Sequence, residues 1–140
     1  MNAAEKKAFV AAFLDIVWTR GDVSEVERFL APRYTIRSDP GDPWDGRTLT
    51  REEFAERLTI SRAPFPDQVF IVDEMIADEA GVAVAWRWEG THLADLPGFP
   101  ASGRKVKTSG LTFYSFEDGK LSGHRQQTDR LGVFQQLARS

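Results

Sequence analysis

The connections between the β-rich stretches in the second half of this chain decide what it can fold into. Val69 to Ala77 ends in an acidic turn at Asp78 to Gly81, and Val82 to His92 leads into a loop from Leu93 to Gly103. Lys105 to Phe116 then turns at Glu117-Asp118-Gly119 into a last strand beginning at Lys120. Parallel neighbours need a crossover of roughly a dozen residues or more, usually a helix, and these tight turns leave no room for one. The spacing therefore predicts consecutive antiparallel pairing.

Helix signals come earlier. Asn2 with Glu5 forms a capping arrangement, and Phe9, Phe13, Ile16 and Val17 recur at helical spacing as far as Gly21. Asp22 with Glu25 starts a short second helix through Leu30, which Pro32 discourages from continuing. Tyr34 to Arg37 reads as a short strand, and Asp39-Pro40-Gly41-Asp42-Pro43 as a turn-rich loop. Thr50 with Glu53 caps a third helix reaching about Ser61. Helices first and an antiparallel sheet afterwards predict an α+β fold with the helices on one sheet face. A sheet of this length must curl to be covered by them, which predicts a cone-shaped barrel with a cavity at its wide end.

The 140 residues suit a single domain, 1–140, without repeat or linker. A net charge of −3 advertises neither a nucleic-acid partner nor an anionic membrane. There is no cysteine for disulfide or thiolate chemistry, and no apolar run long enough to span a bilayer, so a cytoplasmic location is the default expectation. Ten Phe and four Trp suit a large core or an aromatic-lined cavity.

Candidate chemistry concentrates near the end of the chain. Read with period two, Leu121, Gly123, Arg125, Gln127 and Asp129 share one strand face, so an arginine, an amide and a carboxylate project together. If that face looks inward, Asp129 is a buried acid/base group with Arg125 and Gln127 beside it. The competing reading makes Asp129 the N-cap of a C-terminal helix that begins near Leu131. His92, in Gly90-Thr91-His92, is either a proton shuttle or a loop anchor. His124 falls on the face opposite Asp129, which predicts an outer position. Arg37 and Arg125 are either surface ion pairs or pocket cations. Trp18, Trp44, Trp86, Trp88 and Tyr34 are candidate wall residues for a flat hydrophobic ligand, Trp44 at the rim. Two separated histidines with no carboxylate at ligand spacing predict no metal site.

Several short motifs in fixed order carry a resemblance. Phe65-Pro66-Asp67, Gly90-Thr91-His92, Pro100-Ala101-Ser102-Gly103-Arg104, Glu117-Asp118-Gly119-Lys120-Leu121, Asp129-Arg130-Leu131-Gly132 and Gln135-Gln136-Leu137 together resemble the SnoaL-like polyketide cyclases, within the fold of nuclear transport factor 2 and ketosteroid isomerase. The resemblance covers about Asp22 to Leu137. It implies the cone-shaped barrel, a homodimer formed through the sheet, and an aldol ring closure without metal or organic cofactor, with the aspartate matched by Asp129 as acid/base. Arg125 stands where many relatives have tryptophan, and Arg37 where many have histidine, which implies a more cationic pocket. The expected function is thus a natural-product cyclase or isomerase acting on a hydrophobic polyketide-like substrate. Epoxide opening by an Asp/Arg pair is the alternative enzyme, and a non-catalytic binding or dimerisation module is the alternative to catalysis.

Overall fold

A computed structural model describes residues 1–139. Helix α1 (Ala3–Phe13) is capped as its sequence predicts, with the Asn2 side chain accepting from the Glu5 amide and Glu5 returning a bond to the Asn2 amide. It runs on into a π-helical stretch, Leu14–Thr19, whose wider turn is marked by the Arg20 amide donating to the Asp15 carbonyl. The end of that stretch is satisfied from outside: the Trp18 carbonyl accepts from Arg62 Nε and Gln68 Nε2, both at 2.9 Å. Trp18 is thereby locked at the helix end, packed edge-on against Phe54 and Phe70. A 3-10 turn (Val23–Glu25) leads into the single-turn helix α2 (Val26–Phe29).

Strand β1 (Leu30–Ser38) follows directly, then β2 (Thr48–Thr50) and helix α3 (Arg51–Arg62). Strands β3 (Val69–Ala77), β4 (Val82–Thr91), β5 (Lys105–Glu117) and β6 (Lys120–Thr128) form the meander, and α4 (Arg130–Ala138) closes the chain. The six-stranded sheet has the order β2-β1-β6-β5-β4-β3. The meander is antiparallel as its turns require, while β1 pairs in parallel with β6, a contact that no local connection signals. This curled sheet under its helices is the cone-shaped α+β barrel. Among the described residues, no helix is long and apolar enough to cross a membrane.

Helices and sheet meet over an aromatic core: Phe13, Phe29 and Phe54 are fully buried, and Tyr114 nearly so. Phe13 lies edge-on to Tyr114 at 5.9 Å, an arrangement that adds to the burial of both rings. Truncating Phe13 to alanine would cost about 3–5 kcal/mol through the cavity left behind. A smaller cluster of Phe65, Val106 and Leu137 packs with Trp88 and Phe99.

The turn between β5 and β6 controls which residues of β6 enter the interior. Asp118 (φ 51) and Gly119 (φ 76) take the left-handed conformations of a tight hairpin, and Glu117 pairs with Lys120. Phe116 then faces Leu121, but Ser115 faces Gly123, so β6 carries one extra residue, a β-bulge at Ser122. Each strand residue normally alternates sides, and one inserted residue reverses the alternation. Leu121 points inward before the bulge; His124 and Gln126 point inward after it, opposite Tyr114 and Thr112. The period-two reading that grouped Leu121 with Arg125, Gln127 and Asp129 is therefore corrected. Arg125 and Gln127 lie on the outer face and are exposed.

Candidate active site

The inward side of β6 joins a buried polar chain. Trp86 Nε1 donates to Thr112 Oγ1 at 2.8 Å, and Thr112 Oγ1 lies 2.7 Å from Gln126 Oε1. An indole N–H can only donate, so the Thr112 hydroxyl accepts it and passes its own proton to Gln126 Oε1. The Gln126 amide is thereby oriented with Nε2 toward Asp39 Oδ2, at 3.2 Å.

Asp39 is the hub. It follows β1 in the turn-rich loop and is fully buried. Its Oδ2 also accepts from His124 Nε2 at 3.0 Å, and its Oδ1 accepts from Arg130 Nη2 at 3.0 Å. Arg57 Nη2 is 3.7 Å from Oδ2. Burial pushes the Asp39 carboxyl up, but its interactions with His124, the hydrogen bond foremost, and then with Arg130 outweigh it and hold the group below its ordinary range. An ionised Asp39 fixes the histidine: Nε2 carries the proton toward the carboxylate, and Nδ1 faces the Tyr34 hydroxyl at 2.6 Å. Tyr34 is itself buried, and burial first and Tyr114 next raise its hydroxyl well above the ordinary tyrosine value. It stays protonated and donates to His124 Nδ1. Tyr34, His124 and Asp39 thus form a hydrogen-bonded chain of hydroxyl, imidazole and carboxylate, the arrangement in which a base is oriented by a third group.

This chain borders an interior cavity of about 110 Å³ lined by Trp18, Tyr34, Asp42, Arg57, Ser61, Phe70, Tyr114, His124 and Gln126. Asp42 Oδ2 accepts from Arg57 Nη2 at 3.3 Å, and Arg130 lies 3.8 Å from the same oxygen. The walls are aromatic, and the polar groups converge from β1 and the loop that follows it, α3, β5 and β6. Among the described residues, no group of three or more His, Asp or Glu is placed to hold a metal ion.

The sequence candidates divide accordingly. Tyr34 and Trp18 border the cavity. Trp44 packs on the Arg57 guanidinium at 5.8 Å, and Trp86 is buried with its N–H committed to Thr112. Trp88 packs edge-on against Phe65 in the second cluster, 4.9 Å away. His92 is there too, fully buried, with Nδ1 2.9 Å from Ser102 Oγ and its ring against Phe65. Its backbone amide donates to the Arg104 carbonyl and its carbonyl accepts from Gly103, so His92 anchors the 93–103 loop and does not join the cavity. Asp129 is exposed and accepts from the Gly132 amide at 2.9 Å, the N-cap of α4. The expectation that it points into the cavity beside Arg125, Gln127 or His92 is corrected by that capping bond and by the β6 bulge. Arg37 likewise lies exposed on β1. His124, expected outside, is inside for the same reason that Arg125 is not.

Sequence reading missed Asp39, Arg57, Gln126 and Arg130. One of them left a signal: Phe54, Arg57, Leu58 and Ser61 recur at helical spacing, so an arginine sits on the buried stripe of α3. Asp39 left none, because a carboxylate in a Pro/Gly turn is normally solvated.

Comparison with known proteins agrees with this architecture. The family model described as SnoaL-like polyketide cyclase matches residues 8–137. The aklanonic acid methyl ester cyclase of Streptomyces sp. (strain C5) is 31% identical over 86% of this chain and 74% of that protein. The enzyme of the same name from Streptomyces peucetius is 31% identical over 61% of this chain, a match spanning only 60% of that relative's length. A crystal structure assigned as a polyketide cyclase of Acidithiobacillus ferrooxidans superimposes with a TM-score of 0.91 at 44% identity, covering 95% of this chain and 94% of that one. A SnoaL-like protein from Jannaschia shares the fold, with a TM-score of 0.82 at 20% identity over 99% of this chain and 94% of that chain.

Proposed function

Since the chain belongs to the SnoaL-like polyketide cyclase family, we propose that it closes a ring in a polyketide-like substrate by proton transfer through Tyr34, His124 and Asp39, without cofactor. The observation that carries this reading is the 2.6 Å contact from the Tyr34 hydroxyl to His124 Nδ1, backed by a buried, ionised Asp39 on the opposite ring nitrogen. As a substrate C–H or O–H gives its proton to Tyr34 Oη, the tyrosine's own proton moves to His124 Nδ1. The imidazolium that forms is stabilised by Asp39, and the shuttle runs in reverse to protonate the product alkoxide. Tyrosinate never accumulates, which suits a hydroxyl whose ionisation is suppressed by burial.

The cavity volume is below the roughly 300–1,000 Å³ of a site enclosing a whole drug-sized ligand. At about 110 Å³ it holds the reacting end of a large substrate while the remainder lies beyond its mouth. Epoxide opening by Arg125 and Asp129 loses its support, because both residues are exposed on the outside of the barrel.

Ring closure of aklanonic acid methyl ester, the substrate named for the streptomycete relatives, is the first assay. The product is an isomer, separable by chromatography without change of mass. The wild-type protein should accelerate closure, and His124→Gln should lower kcat by about 10²–10⁴. Closure by His124→Gln at the parental rate would sink the assignment, and tight ligand binding without turnover in either protein would favour a binding module.

A second part of the proposal concerns assembly. Ile76, Leu111 and Phe113 are exposed on the outer sheet face, where with Ala83, Ala85, Glu74 and Arg125 they line a shallow depression of about 490 Å³. Apolar residues flanked by opposite charges on one face are self-complementary under a two-fold axis, which favours a homodimer through the sheet.

A further inference from the structure

Arg57 has donors that no described residue uses. Its side chain is only 4% exposed, and its guanidinium carbon sits 5.2 Å from the Trp18 ring, 5.6 Å from Phe54 and 5.8 Å from Trp44. Nη2 is engaged by Asp42 and approached by Asp39, yet Nε and Nη1 find no acceptor among the described residues. Buried guanidinium N–H groups are ordinarily all matched, because each unmatched donor has given up water for nothing. Arg57 also forms part of the cavity wall, facing the same space as Tyr34 and His124.

The charges around that space balance. Arg57 and Arg130 each lie within ion-pair distance of both Asp39 and Asp42, two cations with two anions. With His124 donating from Nε2 and accepting at Nδ1, the resting site is neutral. A substrate carboxylate would add a third anion beside Asp39 and Asp42, whose charges the two arginines already match, and would oppose the second negative charge of an enolate. A neutral carbonyl compound leaves that balance intact, and its deprotonation creates an imidazolium and an oxyanion together, so the net charge does not change.

Building on the proton shuttle proposed above, we infer that Arg57 binds the substrate oxygen that becomes an enolate, and that the cavity accepts a neutral enolisable carbonyl group in preference to a carboxylate. In this step the α-C–H bond breaks and its proton passes through Tyr34 to His124 Nδ1. The bonding pair forms the C=C of the enolate, and the carbonyl π pair moves onto the oxygen facing Arg57. Attack of the enolate carbon on a second carbonyl forms the ring bond, and the resulting alkoxide recovers the proton from the imidazolium. The guanidinium is held by aromatic faces and two carboxylates, so it need not reorganise as charge develops.

Exchange of α-protons in deuterium oxide, followed by NMR, isolates the first half of this reaction. Ethyl acetoacetate is the neutral probe, and acetoacetate offers the same skeleton as an anion. The wild-type protein should accelerate exchange of the ester and leave the acid near its buffer rate. Arg57→Lys keeps a cation for Asp42 but removes the unengaged donors, and should lower kcat for exchange by about 10²–10³ with a smaller change in KM. Arg57→Lys at wild-type rate while His124→Gln is inactive would overturn the Arg57 inference and leave the proton shuttle standing. Equal acceleration of ester and acid by the wild-type protein would overturn it without any variant. Failure of the wild-type protein to accelerate either probe, or wild-type exchange by His124→Gln, would remove both.

Discussion

The two faces of β6 are built from alternate residues of one strand and do opposite things. Inward, His124 is 4% exposed, and it and Gln126 both donate to Asp39 Oδ2. Outward, Arg125 and Gln127 are exposed beside Leu111 and Phe113 on a surface without an ionised hub. Composition does not separate them, since each face carries one basic residue and one amide. What differs is what lies opposite: aromatic helices that exclude water on one side, and solvent or a second copy on the other. Polar groups acquire directed chemistry here through enclosure.

The sharpest way to break this contrast is to compare neighbours. His124→Gln should lower cyclisation by about 10²–10⁴, and Arg125→Gln should leave it unchanged under the same assay. If Arg125→Gln is the damaging change, the inward and outward roles have been assigned the wrong way round.

Asp39→Asn tests the hub through stability. Removing the charge leaves Arg57 and Arg130 with one buried carboxylate fewer, a loss expected to cost about 3–5 kcal/mol by denaturant titration. The pH dependence has a defined sign. Because the folded carboxyl is held below its ordinary value, its contribution is complete above the unfolded pKa of about 4 and is lost as pH falls through the lower folded value. The wild-type protein should therefore lose stability over that acidic interval, and Asp39→Asn should show a shallower loss there. Parallel acid titrations of the two proteins would contradict the hub.

On the outer face, Leu111→Glu places a charge where a two-fold partner would pack. Sedimentation should shift from dimer to monomer while proton exchange at the cavity persists; a wild-type protein that sediments only as monomer at micromolar concentration removes the dimer.

The smallest expected effect is at Asp129. Asp129→Ala should cost about 1 kcal/mol of stability from the lost cap, and Asp129→Asn much less, with turnover unaffected in both. Loss of turnover in Asp129→Asn at full stability would return the acid/base role to that residue.

Wherever local chemistry was sufficient, the sequence alone determined this protein. The capping boxes at Asn2 and Thr50, the tight hairpin at Asp118-Gly119 and the short turns between the strands from Val69 onward act over a few residues, and they specify an α+β chain with an antiparallel meander. The ordered motifs carried the family in the same way. Tertiary structure decided which of these residues face one another. One extra residue at Ser122 reverses the inward set of β6, exchanging Arg125 for His124, and only pairing with β5 reveals it. The parallel contact of β1 with β6 brings Tyr34 and Asp39 to that histidine across 90 and 85 residues of chain. Asp39, in a polar turn, carries no mark of burial in its local sequence, and the helical spacing that puts Arg57 on the buried stripe of α3 does not say what it will face. Their chemistry comes from the low-dielectric space that distant elements enclose, and that space exists only once the barrel has closed.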